Sequence, residues 1–343
     1  MKILVTGAAG FIGFHVCLSL IKKGFDVVGL DNINEYYSVD LKYARLSELG
    51  IEGSNTKAYN TLTESSIHGS QFRFVKMNLE DREELPKLFE KENFTVVCSL
   101  AAQAGVRYSL ENPEAYVDSN IVGFLNILEC CRHNHIEHLI YASSSSVYGL
   151  NDSIPFSVDQ QADRPVSLYA ATKKSNELMA HAYSNLYGLK TTGLRFFTVY
   201  GPWGRPDMAI YLFTDAIYNN RPIKVFNEGE MERDFTYIDD IVNGILAIIE
   251  GHGKKINTES LYQVYNIGAG NPVKLMDFIT EIGKALQKEP KIEFMPMQKG
   301  DVEKTWADIG QIKSKYGYHP NTTISEGIPR FVDWYKNYVL IEN

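Results

Sequence analysis

The sequence predicts a doubly wound α/β fold, in which a mostly parallel sheet carries helices on both faces. Residues 2–6 form a short apolar run that leads into a glycine cluster, residues 11–22 have helical apolar spacing, and a second apolar run at 27–30 ends at Asp31. A strand, turn, helix and strand in this order form a parallel pair with a right-handed crossover. Further strand patterns, most of them separated by helical patterns, lie at residues 72–77, 95–100, 138–142 and 191–196.

The remaining chain predicts a smaller mixed α/β lobe. After Tyr200 the pattern is punctuated by Pro and Gly, and helices are expected near residues 209–219, 239–250 and 274–286. We expect this lobe to pack at the carboxyl ends of the strands, where open α/β sheets bind ligands. The polar stretch 36–70 predicts one helix at 39–49, followed by a mobile loop after Gly50.

Composition and charge exclude several classes of protein. The formal net charge of -8 argues against a nucleic-acid partner, because such proteins carry clustered Lys and Arg. The four cysteines are Cys17, Cys98, Cys130 and Cys131, and their spacing suits neither zinc nor redox exchange, so we expect reduced, buried thiols and no metal site. No apolar run approaches the roughly 18 residues of a membrane span, and the N-terminus begins a strand rather than a signal peptide. We therefore expect a cytoplasmic protein with no membrane partner.

A glycine-rich turn joins the first strand to the first helix. Gly7, Gly10 and Gly13 have G-x-x-G-x-x-G spacing, and in this context they permit a tight turn, backbone approach to a phosphate and close helix packing. Asp31, at the end of the second strand, has the position of an acid that accepts hydrogen bonds from the adenosine ribose. Because its charge would repel a 2′-phosphate, we predict NAD rather than NADP as the cofactor.

A tyrosine and a lysine four residues apart predict a proton-transfer pair. Tyr169 and Lys173 are neighbours on one helix face, and the nearby ammonium favours a phenolate, as a general base requires. Residues 143–149, which include four consecutive serines, follow a buried-strand pattern and should face the same crevice. Their hydroxyl groups are suited to holding the oxygen of a reacting substrate.

The glycine turn, Tyr148-Gly149, Tyr169 and Lys173 resemble the extended short-chain dehydrogenase/reductase superfamily, in particular its nucleotide-sugar epimerases, decarboxylases and dehydratases. The resemblance covers nearly the whole chain. It implies a Rossmann-like NAD-binding domain at residues 1–197, with a returning segment at about 233–266, and a nucleotide-sugar lobe at about 198–232 and 267–343. It also implies that Tyr169 is the catalytic base, that Lys173 holds the nicotinamide ribose and tunes Tyr169, and that Ser144 shares the proton relay. The implied cofactor contacts are Gly7, Gly10, Phe11, Ile12, Gly13, Asp31, Asn32, Asn78, Leu79 and Lys173.

Two further regions favour one chemistry within the superfamily. The serine triplet 144–146 reads Thr-Asp-Glu in the related dehydratases and Thr-Ser-Glu in the UDP-glucuronate decarboxylases, whereas here it carries no acid. Elimination of water needs additional acid–base groups, so the triplet counts against a dehydratase. Residues 194–209 and 233–240 closely resemble the UDP-glucuronate 4-epimerases. That resemblance implies conversion of UDP-glucuronate to UDP-galacturonate, and a place in nucleotide-sugar metabolism and polysaccharide biosynthesis.

The same resemblance implies the sugar contacts. Thr198 stands where the galactose epimerases typically carry Asn, and Arg205 would pair with the sugar carboxylate through its planar guanidinium. Arg233 would bind the UDP diphosphate, with Gln298 and Asp301 near the ribose end. The roles of Gln298 and of Arg107 stay open. The implied substrate-binding set is Ser144, Ser145, Ser146, Tyr169, Thr198, Arg205, Arg233, Gln298 and Asp301.

Three alternatives stay open from the sequence. One is a 4-epimerase that acts on UDP-glucose or UDP-N-acetylglucosamine, the second is a UDP-glucuronate decarboxylase, and the third is a non-catalytic dinucleotide-sensing protein. The intact set of Tyr169, Lys173 and Ser144 argues against the sensor, which needs only the glycine turn. Helices near residues 113–132 and 168–187 resemble the dimer seam of the superfamily and imply a homodimer.

Overall fold

The computed structural model of the protein describes residues 1–56, 58–251, 260–297 and 303–342. The chain divides into two compact units. The first consists of Met1–Asn151, Val158–Arg195 and Ile245–Tyr265, and the second of Asp152–Ser157, Phe196–Gly244 and Asn266–Asn343. Within the described ranges, every helix falls short of the length or the hydropathy that crossing a bilayer requires. All four cysteines are buried and unbridged, as expected.

The first unit is built on an eight-stranded sheet, whose strands are numbered in chain order. They are β1 (Lys2–Thr6), β2 (Asp26–Asp31), β3 (Leu62–Ser65), β4 (Gly69–Lys76), β5 (Val96–Ser99), β6 (His138–Ser144), β7 (Thr191–Phe196) and β12 (Tyr262–Ile267). Their order is β12-β7-β6-β5-β1-β2-β4-β3. The pairs β1–β2, β1–β5, β2–β4 and β5–β6 are parallel, which confirms the predicted parallel sheet.

Helices follow most of these strands, as the sequence predicts. The helical segments are α1 (Phe11–Lys22), α2 (Val39–Glu48), α3 (Glu84–Glu92), α4 (Pro113–Tyr116), a π-helical segment (Val117–Val122), α5 (Gly123–His133) and α6 (Leu168–Tyr187), with 3-10 turns at Gly53–Thr56, Tyr108–Leu110 and Ser145–Tyr148. Apolar side chains of α3 and α5, such as Phe89 and Ile127, pack with Val97 and Leu139 of the sheet in one buried core. Burying such side chains is the main favourable contribution to folding.

The prediction of a mobile loop after Gly50 is wrong in part. Residues Leu62–Ser65 form the edge strand β3, antiparallel to β4, with Leu62 opposite Val75. Ser65 fixes this strand, because its hydroxyl donates a 2.8 Å hydrogen bond to the carbonyl of Leu49. A strand at a sheet edge can be solvated on one side and therefore needs few apolar residues, so its polar composition resembles that of a loop.

In its described residues, the second unit contains short strands in three small sheets. Its strands are β8 (Thr198–Tyr200), β9 (Ile223–Phe226), β10 (Glu232–Arg233), β11 (Phe235–Tyr237), β13 (Val273–Lys274), β14 (Ile292–Met295) and β15 (Lys304–Thr305). Its helices are α7 (Ala209–Tyr218), α9 (Leu275–Leu286), α10 (Gly310–Tyr316) and α11 (Ile324–Glu342), with a 3-10 turn at Asn227–Gly229, and α8 (Ile238–Glu250) is divided between the units. The sheets are ordered β13-β10-β15, β11-β8 and β14-β9.

A buried carboxylate explains why residues 233–244 belong to the second unit, although the sequence suggested that the return to the first begins near 233. The Asp234 side chain is fully buried and accepts hydrogen bonds from the backbone N–H groups of Ala269, Gly270 and Ala307, at 2.7, 2.9 and 3.0 Å, and from the Thr236 hydroxyl at 2.9 Å. Burial raises the pKa of Asp234, although these donors oppose that effect. The three backbone contacts tie this segment to chain that lies far from it in sequence.

Candidate active site

The glycine turn has the close backbone packing that its spacing predicts. Gly7 has φ +76, and a Cβ there would lie 2.9 Å from the Ala101 nitrogen. A Cβ on Gly13 would lie 2.1 Å from the Gly7 carbonyl oxygen. Gly10 is the N-cap of α1, so Phe11 and Ile12 form its first turn. The N–H groups of that turn have no earlier helical carbonyl to bind, which makes this helix end suited to an anion.

Replacing Gly13 with alanine should weaken NAD binding at least roughly tenfold, because the added carbon overlaps the Gly7 carbonyl and forces the turn to move. Titration calorimetry with NAD, together with thermal unfolding, measures the effect. Gly24→Ala is the matched control, since Gly24 has φ +82 but an added Cβ would meet no atom of the described residues within 4 Å. The control should lose some stability and keep its NAD affinity. Equal NAD affinity in both variants would contradict the assignment of the turn.

Asp31 closes the same turn. Its Oδ2 accepts a 3.1 Å hydrogen bond from the Ala9 N–H, and its Oδ1 accepts one of 2.8 Å from the Ile33 N–H. A carboxylate offers about four acceptor positions, so these two bonds leave capacity for ribose hydroxyls. Asn32 beside it is half-buried and accepts from the Asn34 N–H at 3.2 Å. Asp31 therefore has a structural role in the turn as well as the position expected of a ribose ligand.

Two buried cations near this turn are absent from the sequence predictions. Arg45 is fully buried and donates through Nη1 to the Ala9 carbonyl at 2.9 Å and to the Tyr37 hydroxyl at 2.7 Å. Lys42, on the same helix, donates to the carbonyl of Asn34 and to its side-chain oxygen at 2.7 Å. Lys42 and Arg45 are three residues apart on one predicted helix and follow two consecutive tyrosines in the chain. This pattern could have indicated them from the sequence. They place positive charge beside a turn that is suited to a dinucleotide, in a chain that is acidic overall.

The predicted proton-transfer pair lies on α6, which has well-defined ends. The Ser167 hydroxyl accepts from the Ala170 N–H at 3.1 Å and caps the first turn, and Gly188 ends the helix at φ +69. Tyr169 is half-buried and Lys173 is buried. Lys173 donates through Nζ to the carbonyl of Ala142, two residues before Ser144, at 3.0 Å. The lysine thus joins the helix that carries the tyrosine to the strand that ends in the serines.

The serines form a compact turn, which we call the serine turn and define as Ser144 with the 3-10 turn Ser145–Tyr148. The Ser144 hydroxyl accepts from the Ser146 N–H at 3.2 Å and from the Ser146 hydroxyl at 2.9 Å. Ser144, Ser145 and Ser146 are all half-buried. The serine turn packs against α6, so the structure brings the predicted hydroxyls close to the helix of Tyr169 and Lys173.

Activity should decline as pH rises through about 8, because burial lowers the pKa of Lys173 to about 8. If Tyr169 is the base, as the sequence predicts, the protonated lysine would stabilise its phenolate below that pH, and the neutral amine above it would not. The pH dependence of kcat/KM measures this, with Lys173→Arg as the comparison because a guanidinium stays charged. The alkaline decline should move to higher pH in that variant. An identical midpoint in both proteins would assign the decline to another group.

A buried amide network beside α6 also escaped sequence analysis. Asn120, in the π-helical segment, accepts from the Gln103 N–H at 2.8 Å and donates to the Gln103 carbonyl and the Thr172 hydroxyl, both at 3.0 Å. Thr172 in turn donates to the Tyr169 carbonyl at 2.8 Å. π-Helical bulges frequently occur at functional sites. The only sequence signal was an asparagine within an otherwise helical apolar pattern.

Three predicted substrate contacts lie in the second unit. Thr198 begins β8, opposite Phe235, and its N–H donates to the Asp234 carbonyl at 3.1 Å. Arg233 donates through Nη1 to the carbonyls of Glu232 and Glu303, at 3.0 and 2.9 Å. Arg205 holds Asp207 in a two-pronged ion pair, with Nε–Oδ1 and Nη2–Oδ2 distances of 2.9 and 2.6 Å. Gln298 and Asp301 lie outside the described residues.

The remaining candidates are on the first unit. Asn78 is exposed just after β4, and its carbonyl accepts from the Asp81 N–H at 3.3 Å. Leu79 is buried, and its carbonyl accepts from the side chain of Asn126 at 2.8 Å. Arg107 is exposed at the N-cap of the turn Tyr108–Leu110, and its role stays open.

Comparison with known proteins places the chain in a family. Residues 3–268 match the NAD dependent epimerase/dehydratase family. The protein belongs to this family.

It is 53% identical over 349 residues to the Protein CapI of Staphylococcus aureus, across 98% of this chain and 99% of that one. It is 46% identical over 351 residues to a probable UDP-glucuronate 4-epimerase of Rhizobium meliloti, across 98% of each. The crystal structure of the UDP-glucuronic acid 4-epimerase from Bacillus cereus with UDP-glucuronic acid and NAD matches 98% of this chain and 100% of its own, with a TM-score of 0.86 and 33% identity.

Membership of the NAD dependent epimerase/dehydratase family confirms the predicted fold, superfamily and cofactor. The first unit fits NAD on its own geometry. Side chains at Gly7 or Gly13 would fill the space that the backbone needs, and the carboxylate of Asp31 is an acceptor suited to ribose hydroxyls. The individual contacts of each residue with the cofactor stay predictions.

Proposed function

We propose that the protein inverts carbon 4 of UDP-glucuronate to give UDP-galacturonate, with no net oxidation of the sugar. The observation that carries the proposal is the bond from Lys173 Nζ to the Ala142 carbonyl, which joins the Tyr169 helix to the serine turn. This arrangement provides a base, a cation that activates it and hydroxyls beside them. The relatives named above supply the support for the sugar: two of them carry UDP-glucuronate or UDP-glucuronic acid 4-epimerase in their names.

The residues of the chain account for the proton transfers. The Tyr169 phenolate takes the proton from the carbon 4 hydroxyl, and Ser144 donates a hydrogen bond to the same oxygen. When bound, NAD would supply the hydride acceptor and donor for carbon 4. The 4-keto sugar then presents its other face, and Tyr169 returns the proton to the oxygen. Lys173 stabilises the phenolate at the start of the cycle, and it would hold the nicotinamide ribose when NAD is bound.

A uronate substrate requires control of its carboxylate. A ketone at carbon 4 makes the carbon 6 carboxylate a β-keto acid, which loses carbon dioxide readily. Arg205, Thr198 and the serine turn would hold the carboxylate in an orientation that suppresses this loss, each contributing about 1 to 3 kcal/mol through hydrogen bonds to a charged group. Asp207 already forms an ion pair with Arg205. Binding of the sugar carboxylate to Arg205 is therefore stabilised only by the difference in free energy between the two ion pairs.

The proposal is tested by incubating the purified protein with UDP-glucuronate, without added reductant, and identifying the sugar formed. We expect UDP-galacturonate. A UDP-pentose would indicate the decarboxylase, and conversion of UDP-glucose but not of UDP-glucuronate would indicate a galactose-type epimerase. Absence of conversion of any of these sugars, with NAD bound, would favour the dinucleotide-sensing alternative.

We further propose that the first unit binds NAD, that the second is the nucleotide-sugar lobe and that the protein is a homodimer. Support for the dimer comes from exposed apolar side chains on α6, namely Leu178 and Leu186 at 62% and 66% exposure, and from Tyr187 beside them. Water-exposed apolar surface of this kind commonly marks a protein interface. Sedimentation equilibrium measures the mass, and Leu178→Glu with Leu186→Glu should shift it to the monomer. A monomeric wild-type protein would contradict the dimer.

A further inference from the structure

Helix α6 carries a third residue in register with the catalytic pair. Tyr169, Lys173 and Glu177 lie at intervals of four residues and so share one face of the helix. The mechanism uses the first two and leaves Glu177 without a role. The Glu177 side chain is only 1% exposed, and ionised carboxylates are rarely buried this deeply unless they are paired.

Glu177 connects three elements of the first unit. Its Oε1 accepts from the Ser143 hydroxyl of β6 at 2.7 Å and from Nε of Arg195, on β7, at 2.8 Å. Its Oε2 accepts from Nη2 of Arg195 at 2.9 Å and from Lys174 at 3.1 Å. Burial by itself raises the pKa of Glu177, but the hydrogen bonds and charge of Arg195, with Ser143 and Lys174, bring its pKa below the ordinary value. The carboxylate is therefore ionised and fully engaged.

The contact with Ser143 sets the rotation of the strand end. Successive side chains of a strand point to opposite faces, so fixing the Ser143 side chain against α6 also fixes the direction of the Ser144 side chain that follows it. The preceding residue is held as well, because Lys173 bonds the Ala142 carbonyl. Two consecutive turns of α6 thus hold two consecutive residues immediately before Ser144.

Arg195 holds the other end of the serine turn. Its guanidinium carbon lies 4.7 Å from the ring centroid of Tyr148, the last residue of the turn. An arginine stacked on an aromatic face and bound through two nitrogens to a carboxylate has little freedom. One ion pair therefore contacts both the residue before the serine turn and the residue that ends it.

We propose that Glu177 and Arg195, with Ser143, are positioning residues that hold the serine turn in the rotation and register that the proton relay from Tyr169 requires. The inference rests on the proposed function and deepens it. A purely stabilising role explains the pair less well, because replacing a buried ion pair with apolar residues of similar volume is often neutral or favourable to stability. Positioning explains why both charges lie at the edge of the serine turn.

Ser143→Ala is the sharpest test, since it removes one hydroxyl and leaves both charges paired. We expect kcat for UDP-glucuronate to fall about 10- to 100-fold, the loss typical of a displacement of about 1 Å at a reacting group, with KM changed less than about threefold. The thermal midpoint and bound NAD should stay close to those of the wild type. Ser184→Ala is the matched control, because Ser184 is buried on the same helix and its hydroxyl bonds Thr191 of β7 at 2.8 Å, away from the serine turn. It should keep wild-type kcat.

A second variant separates positioning from stability. Glu177→Leu combined with Arg195→Met removes both charges together, and we expect a folded, NAD-containing protein whose kcat is as low as that of Ser143→Ala. Wild-type kcat in both Ser143→Ala and the double variant would overturn the inference while leaving the proposed function intact. A kcat loss in Ser184→Ala as large as in Ser143→Ala would also overturn it, because any helix–strand bond would then have the same effect. An inactive wild-type protein would instead overturn the proposed function, and this inference with it.

Discussion

Replacing Tyr169 with phenylalanine should reduce turnover of UDP-glucuronate by roughly 10²- to 10⁴-fold, the contribution typical of a general base. The substitution removes the only atom that the mechanism asks to take the proton from the carbon 4 hydroxyl. The ring itself stays, and with it the edge contact to Tyr116 at a centroid distance of 6.1 Å. The fold and the glycine turn should therefore be unaffected, and the variant should still contain NAD.

The measurement is conversion of UDP-glucuronate alongside the NAD content of the purified protein. Tyr183→Phe provides the control on the same helix, since its hydroxyl donates to Glu129 at 2.5 Å and has no part in the proposed reaction. That variant should turn over at close to the wild-type rate. Substantial activity in Tyr169→Phe would remove Tyr169 from the role of base.

Replacing Arg205 with alanine should weaken UDP-glucuronate binding about 10- to 100-fold and UDP-glucose binding by less than about threefold. The first figure corresponds to a hydrogen-bonded contact between charged groups of about 1.5 to 3 kcal/mol. UDP-glucose has no carboxylate and cannot make this contact. The loss for the uronate is moderated because wild-type Arg205 must exchange Asp207 for the substrate.

Titration calorimetry with both nucleotide sugars measures the difference. Arg221→Ala is a matched control, since Arg221 also pairs with an aspartate, Asp215, within the second unit. It should leave both affinities unchanged. Equal losses for the two sugars in Arg205→Ala would mean that Arg205 does not distinguish the carboxylate.

Local patterns in the sequence predicted most of the sheet and its helices. The predicted bounds of β1, α1 and β7 coincide with those of the structure. For β1 and α1 the reason is local, because each has an apolar pattern that a glycine follows within two residues. The edge strand β3 was missed since its residues are mostly polar. The π-helical segment at Val117–Val122 was also missed, because a single extra residue in a helical turn leaves no compositional trace.

The candidate site was predictable to the extent that it follows short motifs. Gly7, Gly10 and Gly13 signal a phosphate-binding turn by spacing alone, and Tyr169 with Lys173 signals a proton-transfer pair on one helix face. Lys42 and Arg45 were overlooked because charged residues on a predicted helix usually face solvent. Their burial depends on the packing of α2 near Ala9.

The sequence by itself determined the parallel α/β sheet, the glycine turn and the NAD cofactor, and it predicts Tyr169 and Lys173 as the proton-transfer pair. Each of these depends on residues close together in the chain, where spacing and side-chain chemistry are sufficient evidence. Only the tertiary structure decided that Glu177 contacts the residue before the serine turn and Arg195 the residue that ends it, that Asp234 binds two backbone segments distant from its own and that Asp207 engages Arg205. Ser143 and Glu177 are 34 residues apart, and Asp234 and Ala307 are 73 apart. Contacts over such separations, like the choice of rotamer that pairs Arg205 with Asp207, follow from how the elements pack and leave no local periodicity in the sequence.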